Sequence, residues 1–321
     1  MNNHGFELTI IIVNWNTADY LEKLLSSIFE NITGNFYRVL VVDNNSKDGS
    51  GEMVHEKFPD VTLVNTGANL GYGKANNIGI KMARTPYILF LNPDTLVNSN
   101  AVPLMLDFLK NNEKIGAVQC ALTDPDGTLQ EMGLQWFDSP FTQFLTLFFL
   151  SNATIPIFSR FLPRQDPLRD GYLKHMSGDC ILIRKSVLDK VGGFDERFFM
   201  YAEDGDLSRR IIQHGWKLFY LSKISIVHAK AGASDKTISY FSLLMMCEST
   251  FKYNLKYYGL SGALLYRFFV FLSSIFKILL LSISFPAFFF FHKKQICKNN
   301  IIKCIVLIKW SLFISRPIIS S

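Results

Sequence analysis

Residues 86–95, "PYILFLNPDT", place a short apolar run directly before a polar end. The run is too short for a typical helix and has the length of a buried strand. Pro93 restricts the residue before it, so Asn92 is biased towards an extended backbone where the strand ends. The stretch predicts a buried strand that brings an amide, Asn92, and a carboxylate, Asp94, to one edge of a sheet.

Three similar strands are predicted upstream, and a helical pattern follows each of them. The strands lie within 8–16, 38–43 and 61–66. The helices lie within 17–32, 50–58 and 73–83, and the first carries apolar residues at helical spacing: Leu21, Leu24, Leu25 and Ile28. Strands that alternate with helices pair in parallel through right-handed crossovers. The amino-terminal part is therefore predicted to be an α/β sheet flanked by helices.

The pattern is less regular after the fourth strand. The next predicted elements are a helix over 100–111, a strand over 115–122, a strand and helix within 175–194, a helix over 206–215, and short strands over 216–221 and 224–229. Residues 134–175 are irregular, aromatic and contain proline. They are predicted to form a variable insertion that carries acceptor or specificity loops.

Polar residues follow the predicted strands at their carboxyl ends. Ligands of open α/β sheets bind beyond this edge. The groups expected to meet there are Asn14–Asn16, Asp43–Asn45, Asn65–Asn69 and Asn92–Asp94.

Two of these groups carry carboxylates suited to a nucleotide. Asn92 and Asp94 could supply the few oxygen ligands that a divalent cation needs when a diphosphate supplies the rest. The alternative is an ordinary turn after a strand. Asp43 could accept a hydrogen bond from a nucleobase or a ribose hydroxyl; the alternative is capping of the next helix, for which Ser46 and Asp48 are better placed.

A glycine-rich segment, "NLGYGKANNIG" (69–79), precedes a helix and could bring backbone N–H groups close to phosphate. It contains Gly71 and Gly73, but Asn76 stands where a dinucleotide fingerprint needs glycine. The segment therefore suits the lining of a nucleotide pocket better than a dehydrogenase site.

The stretch "FFMYAEDGDLSRR" (198–210) places three acids, Glu203, Asp204 and Asp206, after apolar and aromatic residues. Acids this close repel each other and are costly to desolvate. Either they form the solvated first turn of a helix, or they handle a cation or a proton. Asp206 and Arg210 have the i,i+4 spacing of a structural ion pair.

Charge is divided unevenly along the 321 residues. The net charge is +6, yet no acid follows Glu248 while ten basic residues do, which leaves 23 basic against 27 acidic residues in 1–248. A basic tail in a chain with 29 phenylalanines favours an anionic membrane surface, and not nucleic acid, as partner. The five cysteines lack metal-ligand spacing and are expected to be reduced, and no secretory signal is expected.

The tail contains two apolar runs. Residues 268–291 are long enough to span a bilayer, but Lys277 near the middle would cost roughly 2.5–3.5 kcal/mol there. Residues 301–314 are shorter, contain two lysines and suit an interfacial helix. A true span, an in-plane helical hairpin and a soluble tail packed on the domain all remain open.

Several motifs in this order resemble one known family. They are "VVDNNSKDGS", "NLGYGKANN", "LFLNPDT", "GGFDERFFMYAEDGDLSRRIIQHGW" and "IVH". Together they resemble family 2 glycosyltransferases with the GT-A fold, in particular the rhamnosyltransferase-type branch of bacterial polysaccharide assembly. The resemblance covers residues 8 to about 258 and implies a Rossmann-like mixed sheet flanked by helices, with a C-terminal membrane-associated helical tail.

The resemblance implies a role for each matching residue. Asn92-Pro93-Asp94 corresponds to the DxD-type motif, with Asp94 as the metal ligand and Asn92 assisting. His228 is the other protein ligand of a divalent metal, Mn²⁺ or Mg²⁺, and Asp204 is the general base. The predicted donor site consists of Asn16, Asp43, Asn69, Gly71, Asn76, Asn92 and Asp94.

Two acids are left for the acceptor side. Asp179, in "SGDC", stands where many relatives carry a small apolar residue, which weakens any expectation about the sugar. Glu203 either binds the acceptor or supports its loop.

The expected function is inverting, metal-dependent glycosyl transfer at the cytoplasmic face of the inner membrane. The first candidate donor is dTDP-L-rhamnose and the acceptor a polyprenyl-diphosphate-linked glycan. A UDP donor of galactofuranose or an N-acetylhexosamine is the alternative, and a non-catalytic membrane-bound binding partner is a third possibility. The predicted domains are a catalytic domain, 1–235, and a helical membrane-associating region, 236–321.

Overall fold

The computed structural model describes residues 5–98, 100–131, 139–149, 165–229, 240–290 and 294–314. These residues form two compact units. The first unit contains the described residues up to 131 and those from 165 to 229, and the second contains the remainder. The helix that lies in the predicted insertion, over 140–149, belongs to the second unit.

The first unit is built on a mixed nine-stranded sheet. Its strands are β1 Leu8–Asn14, β2 Tyr37–Asp43, β3 Thr62–Asn65, β4 Tyr87–Leu91, β5 Thr95–Leu96, β6 Ile115–Thr123, β7 Gly171–Leu173, β8 Cys180–Arg184 and β9 Lys217–His228. The order is β3-β2-β1-β4-β8-β6-β9-β5, with β7 paired to β9. β1 to β4 are parallel, whereas β8 is antiparallel to both β4 and β6.

Helices cover the sheet as the alternating pattern predicts. In chain order the helices among the described residues are α1 Ala18–Asn31, α2 Ser50–Lys57, α3 Tyr72–Met82, α4 Ala101–Lys110, α5 Pro140–Phe149, α6 Lys185–Val191, α7 Glu203–Gln213, α8 Tyr240–Phe290 and α9 Lys294–Ser311. The predicted α/β sheet flanked by helices is confirmed.

Apolar packing fills both faces of the sheet, because successive strand residues point to opposite sides. Leu8, Ile10 and Ile12 of β1 pack into one core with the buried face of α1. Ile11 and Val13 pack into the opposite core. β1 is buried along its whole length, so its polar carboxyl end is held on a rigid support.

Two predictions about the later elements are wrong. The segments 216–221 and 224–229 form one strand, β9, in which Leu221 pairs with Cys120 and Ser225 with Ala121. The polar residues between the two segments shift the register of the strand pairing but do not end the strand. Residues 134–175 are not wholly irregular either, since α5 and β7 lie within them.

The second unit is helical. α5 contacts α8 through its phenylalanines, with ring centroids of Phe144 and Phe269 5.1 Å apart. α8 is interrupted at Gly259, which has a positive φ of 65°. Trp310 of α9 is fully buried in a small core with Tyr266 and Val270 of α8.

One described helix, Tyr240–Ile283, is long and apolar enough to cross a membrane by length and composition, and 28% of its most apolar stretch is buried. All five cysteines are free and buried, as their scattered spacing predicted.

Candidate active site

Three titratable side chains meet beyond the carboxyl end of β4. Asp94 directly precedes β5, whose Thr95 pairs with His228 at the end of β9. The Nε2 atom of His228 lies 3.5 Å from Asp94 Oδ2 and 3.7 Å from Asp179 Oδ1. These side chains are at most 20% exposed. We call them the Asp94–Asp179–His228 cluster.

Gln130 sets the tautomer of His228. The Gln130 amide nitrogen donates to the carbonyl oxygen of His228 and to Asp124 Oδ1, each at 2.8 Å. Both partners only accept, so the orientation of this amide is fixed. Its oxygen therefore faces His228 Nδ1, at 3.2 Å, and accepts a hydrogen bond from the Nδ1–H group. Nε2 is then the ring nitrogen that faces the two carboxylates.

Asn92 holds Asp179 in place. Its backbone N–H donates to the Asp179 carbonyl at 3.0 Å, and its Nδ2 donates to Asp179 Oδ1 at 2.7 Å. The Ser177 hydroxyl donates to the other carboxylate oxygen. The Asn92 side chain thus turns its nitrogen, which cannot ligate a metal, towards Asp179, and its assisting role at a metal stays a prediction.

The donor atoms of the cluster suit a divalent cation. They are two carboxylates and one imidazole nitrogen, a set that accommodates Mn²⁺ or Mg²⁺, and the nitrogen favours Mn²⁺. Among the described residues, no group of three or more His, Cys, Asp or Glu side chains, this cluster included, is arranged so that it could hold a metal ion by itself. The cluster fits a cation that takes its remaining ligands from a bound phosphate group.

Asp204 lies in the first turn of α7, next to the cluster in the fold. Its Oδ2 accepts from the N–H of Gly178, at 3.2 Å, and its Oδ1 accepts from the N–H of Gly205, at 2.7 Å. His175 Nε2 is 3.6 Å from the same Oδ1. Burial raises the pKa of Asp204, but His175 and the backbone N–H groups outweigh it and hold this pKa below its ordinary value. Asp204 is therefore ionised at neutral pH.

Glu203 is in the opposite state. It is 6% exposed, and its Oε2 has no hydrogen-bond partner among the described residues. Burial, followed by the charge of Asp204, raises the pKa of Glu203 to about 8. Its carboxyl group is therefore protonated at pH 7, which removes the repulsion that two adjacent carboxylates would otherwise suffer.

The third acid of this stretch is structural. Asp206 is fully buried and accepts from Arg210 Nε at 2.7 Å, which confirms the predicted i,i+4 pair. Arg210 also donates to the carbonyls of Val191, Gly192 and Gly193. The pair fixes the start of α7 to the turn after α6, and so holds Asp204 in position.

Asp43 lies at the end of β2 inside a hydrogen-bond network. It is 2% exposed. Its Oδ1 accepts from Asn14 Nδ2 at 2.9 Å and from the Ser46 hydroxyl at 2.6 Å, and its Oδ2 accepts from the Ser46 N–H at 2.9 Å. Asn16 joins the network through its N–H, which donates to the Ser46 hydroxyl. The network braces the exposed Asn16 at the carboxyl edge of β1.

The glycine-rich segment touches the loop before α7. Gly71 has a φ of +82°, and a Cβ atom there would lie 2.2 Å from the carbonyl oxygen of Phe199. The N–H of Tyr72 donates to that same oxygen at 2.9 Å, and the Tyr72 hydroxyl donates to the Gly178 carbonyl at 2.7 Å. The segment therefore contacts both the acid-bearing loop and the residue before Asp179.

The two asparagines predicted in this segment differ in position. Asn69 is partly exposed and its Oδ1 accepts from the Gly71 N–H at 3.1 Å. Asn76 is 1% exposed in α3 and donates to the Tyr72 carbonyl one turn earlier. Asn69 can face a ligand, whereas Asn76 faces the interior.

Comparison with known proteins agrees with this arrangement. The model of the family described as "Glycosyl transferase family 2" matches residues 9–192, more than half of the chain. The chain belongs to glycosyl transferase family 2. It is therefore a glycosyltransferase, as the sequence motifs predicted.

Two relatives of this family 2 enzyme are rhamnosyltransferases by name. It is 31% identical over 245 residues, 71% of this chain and 78% of the other, to the N-acetylglucosaminyl-diphospho-decaprenol L-rhamnosyltransferase of Mycobacterium tuberculosis (strain CDC 1551 / Oshkosh). It is 27% identical over 254 residues, 76% of this chain and 91% of the other, to the rhamnosyltransferase WbbL of Escherichia coli (strain K12).

A solved structure supports the GT-A fold. The mannosyltransferase PcManGT of Pyrobaculum calidifontis, in complex with GDP-Man and Mn²⁺, matches with a TM-score of 0.59 and 16% identity. The match covers 97% of this chain and 88% of PcManGT. The predicted GT-A fold is confirmed.

Three residues of the family 2 enzyme's site were not predicted from the sequence: Gln130, His175 and Tyr72. Gln130 follows the segment "TDPDGT" (123–128), and no motif marks it. Tyr72 lies in the glycine-rich segment and His175 at the start of the range 175–194. Their contacts with Gly178 and Asp204 depend on packing between segments far apart in the chain. Spacing alone carries no signal for them.

Proposed function

We propose that this family 2 enzyme transfers a sugar with inversion, in a metal-dependent reaction, and that the sugar is L-rhamnose from dTDP-L-rhamnose. One observation carries the proposal: Gly178 binds the ionised Asp204, and Asp179, the next residue, belongs to the Asp94–Asp179–His228 cluster. A base and a candidate cation site are thus joined through two consecutive residues. The rhamnosyltransferase names of the two relatives support the choice of sugar.

Asp204 is proposed as the general base. Inverting transfer requires one group to take the proton of the acceptor hydroxyl while the anomeric carbon is attacked. A carboxylate held ionised by His175 and by two backbone N–H groups is available for that proton and cannot rotate freely. Glu203, neutral and buried beside it, cannot compete for the proton at pH 7.

Asp94 and His228 are proposed to hold the divalent cation, with Asp179 beside them. A cation bound there supplies a positive charge that stabilises the leaving diphosphate. The orientation of His228 by Gln130 supports this role, because it leaves Nε2, the nitrogen that faces the two carboxylates, as the atom that would ligate a cation. Mn²⁺ is the first choice, and Mn²⁺ is present in the PcManGT complex.

The donor nucleotide is proposed to lie along the carboxyl edge of β1 and β2. Asp43, Asn16 and Asn69 are the candidate contacts for base and ribose, and the N–H groups around Gly71 for phosphate. The lone pairs of Asp43 not used by Asn14 and Ser46 remain for such a contact.

The acceptor is proposed to be a glycan on a polyprenyl diphosphate, at the cytoplasmic face of the inner membrane. The decaprenol-linked acceptor in the name of the Mycobacterium relative supports this class. The basic, apolar tail supports the location.

The test is release of nucleotide from a panel of dTDP-, UDP- and GDP-sugars, with a lipid-linked glycan extract as acceptor and with either Mn²⁺ or EDTA present. We expect turnover of dTDP-L-rhamnose that EDTA abolishes. Turnover of a UDP-sugar instead would contradict the proposed donor but keep the mechanism. Turnover that EDTA leaves unchanged would contradict the proposed role of the cluster.

A further inference from the structure

The second half of α8, from Leu260 onward, has its apolar side chains on the outside. Leu260 is 62% exposed and Ile283 is 78% exposed. Exposed leucines and phenylalanines recur between them every three or four residues, which places them on one face of the helix. We call this face the apolar stripe; its members include Leu260, Leu264, Phe268, Leu272, Phe276 and Leu279.

The opposite face of the same helix is buried and more polar. Arg267 is 6% exposed, Ser273 1% and Ser274 0%. The two serine hydroxyls donate to the carbonyl of Val270, and Arg267 donates to the carbonyl of Trp310. None of the exposed positions over 260–283, all within the described chain, carries a charge.

This distribution is the reverse of that in a helix surrounded by water. A surface helix of a soluble protein turns its apolar face inward and its polar face to solvent. An exposed, continuous apolar face marks a contact with another apolar phase. The buried arginine and serines therefore indicate that the medium outside the stripe is less polar than the inside of this helical unit.

α9 runs antiparallel to this part of α8. Cys297 Sγ lies 4.0 Å from the carbonyl oxygen of Leu281, and Trp310 near the other end accepts from Arg267. The guanidinium of Arg267 lies over the rings of Phe251 and Trp310, at 5.1 and 4.2 Å from their centroids. The two helices thus form a hairpin that supports the stripe from its inner side.

The basic charge of this part of the chain indicates that the apolar stripe contacts a bilayer and not a second copy of the unit. All ten charged residues after Glu248 are basic, so two copies of this unit repel each other, while an anionic bilayer attracts it. α9 of this hairpin also carries Lys303 and the exposed Lys309. A hairpin that crossed the bilayer would place these ammonium groups in hydrocarbon, where charges are costly. A hairpin lying in the membrane plane lets them reach the headgroups.

We propose that the apolar stripe of α8 lies in the interface of an anionic bilayer, with the helix axis parallel to the membrane plane. The inference deepens the membrane location within the proposed function. It rests on residues of the helical unit alone, so its test is separate from that of the transfer reaction.

Spin labels on the stripe test this orientation. Leu264→Cys, Leu272→Cys and Leu279→Cys are labelled one at a time in the full chain, whose five native cysteines are buried. Depth is measured by electron paramagnetic resonance in vesicles of phosphatidylcholine and phosphatidylglycerol. An in-plane helix places all three labels at one depth, about 5–10 Å below the headgroups. In a helix that crosses the bilayer, neighbouring labels would differ in depth by roughly 11 Å, which would overturn the proposal.

The matched control is Leu104→Cys, on α4 of the sheet unit, where the leucine is 52% exposed. We expect its label to remain in water, and we expect Leu104→Ser to leave vesicle binding unchanged.

The triple variant Leu264→Ser, Phe268→Ser and Leu272→Ser should weaken co-sedimentation with vesicles at least tenfold at unchanged helix content. Unchanged vesicle binding, or stripe labels that couple between two copies in solution, would overturn the proposal; should the triple variant fail to fold, the single labels decide.

Discussion

At the scale of single residues, the surroundings of each carboxyl group in the site decide whether that group is protonated or ionised. Glu203 and Asp204 are adjacent carboxyls, yet burial keeps the proton on Glu203 while hydrogen bonds keep Asp204 ionised. The motif predicted that acids would meet here. It could not predict which acid is charged, because that depends on His175 and Gly178.

Replacing the proposed base should separate binding from transfer. Asp204→Asn keeps the size of the side chain but removes the proton acceptor, so transfer should fall by about 10²–10⁴-fold. Donor binding, measured by calorimetry, should change little. Ser46→Ala serves as the comparison, because Ser46 belongs to the hydrogen-bond network of Asp43. This variant should weaken donor binding, but at saturating donor its rate of transfer should change less. Normal turnover by Asp204→Asn would remove this residue from the mechanism.

The neutral state of Glu203 has a consequence for stability. Because its pKa rises from 4.5 to about 8 on folding, the unfolded chain releases this proton first, and stability falls as pH rises from 4.5 to 8. Glu203→Gln removes that cost, at most about 3 kcal/mol at pH 7. We expect its Tm to exceed that of the wild type at pH 7–8, and the difference to vanish near pH 4.5. Equal melting curves at pH 8 would show that folding does not raise the pKa of Glu203.

The tautomer of His228 can be tested through metal affinity. Gln130→Leu removes the acceptor that holds the proton on Nδ1, and loss of such a partner typically costs 10–100-fold in affinity. Mn²⁺ binding, followed by electron paramagnetic resonance without substrate, should weaken by that factor. Gln213→Leu, at an exposed position of α7, is the matched control and should bind Mn²⁺ normally. Equal affinities would show that Gln130 does not orient the ligand.

At the scale of elements, local sequence was sufficient where pattern and packing agree. β1 and β4 are apolar runs of strand length, and α1 buries the four predicted residues. The sequence predicts two strands in place of β9 because the polar residues in its middle resemble a loop. The strand is continuous because β6 pairs with both of its halves. α5 was missed because its phenylalanines pack on α8, a helix distant in sequence.

The contact between the glycine-rich segment and the loop before α7 allows a matched pair of substitutions. Gly71→Ala would place a methyl group 2.2 Å from the Phe199 carbonyl oxygen, at a φ of +82°. Gly67→Ala has a similar φ, +74°, but meets no atom within 4 Å. Backbone strain should lower the free energy of unfolding of each variant by about 1–2 kcal/mol. The clash should lower the free energy of unfolding of Gly71→Ala further, and it should also slow sugar transfer by this variant. Chemical denaturation measures the free energy of unfolding of the two variants. Equal losses of stability would contradict the close approach of Gly71 to the Phe199 carbonyl oxygen.

At the scale of the whole molecule, charge is divided unevenly along the chain. Residues 1–248 have an excess of four acids, and every charged residue beyond them is basic. The composition predicted this division and the membrane as a partner. It left the orientation of the tail open, because hydropathy along the chain does not reveal which side of a helix is buried.

Binding to anionic vesicles should depend on salt. Each basic residue near such a surface contributes about 1 kcal/mol, and the screening length falls from about 10 Å at 0.1 M salt to about 3 Å at 1 M. Co-sedimentation with phosphatidylglycerol vesicles should therefore weaken at least tenfold over that range without vanishing, since the stripe remains apolar. Pure phosphatidylcholine vesicles serve as the control and should bind weakly at every salt concentration. Salt-independent binding to both would contradict the role of the basic tail.

The hydrogen bond from Asn92 to Asp179 restricts how this site can change during evolution. An aspartate at position 92 would face the Asp179 carboxylate across 2.7 Å, so the two acids would repel each other. The exchange Asn92→Asp, which looks conservative in isolation, should be harmful in this background and tolerated once Asp179→Ala has occurred. Lineages descended from this sequence should therefore replace Asp179 before they replace Asn92.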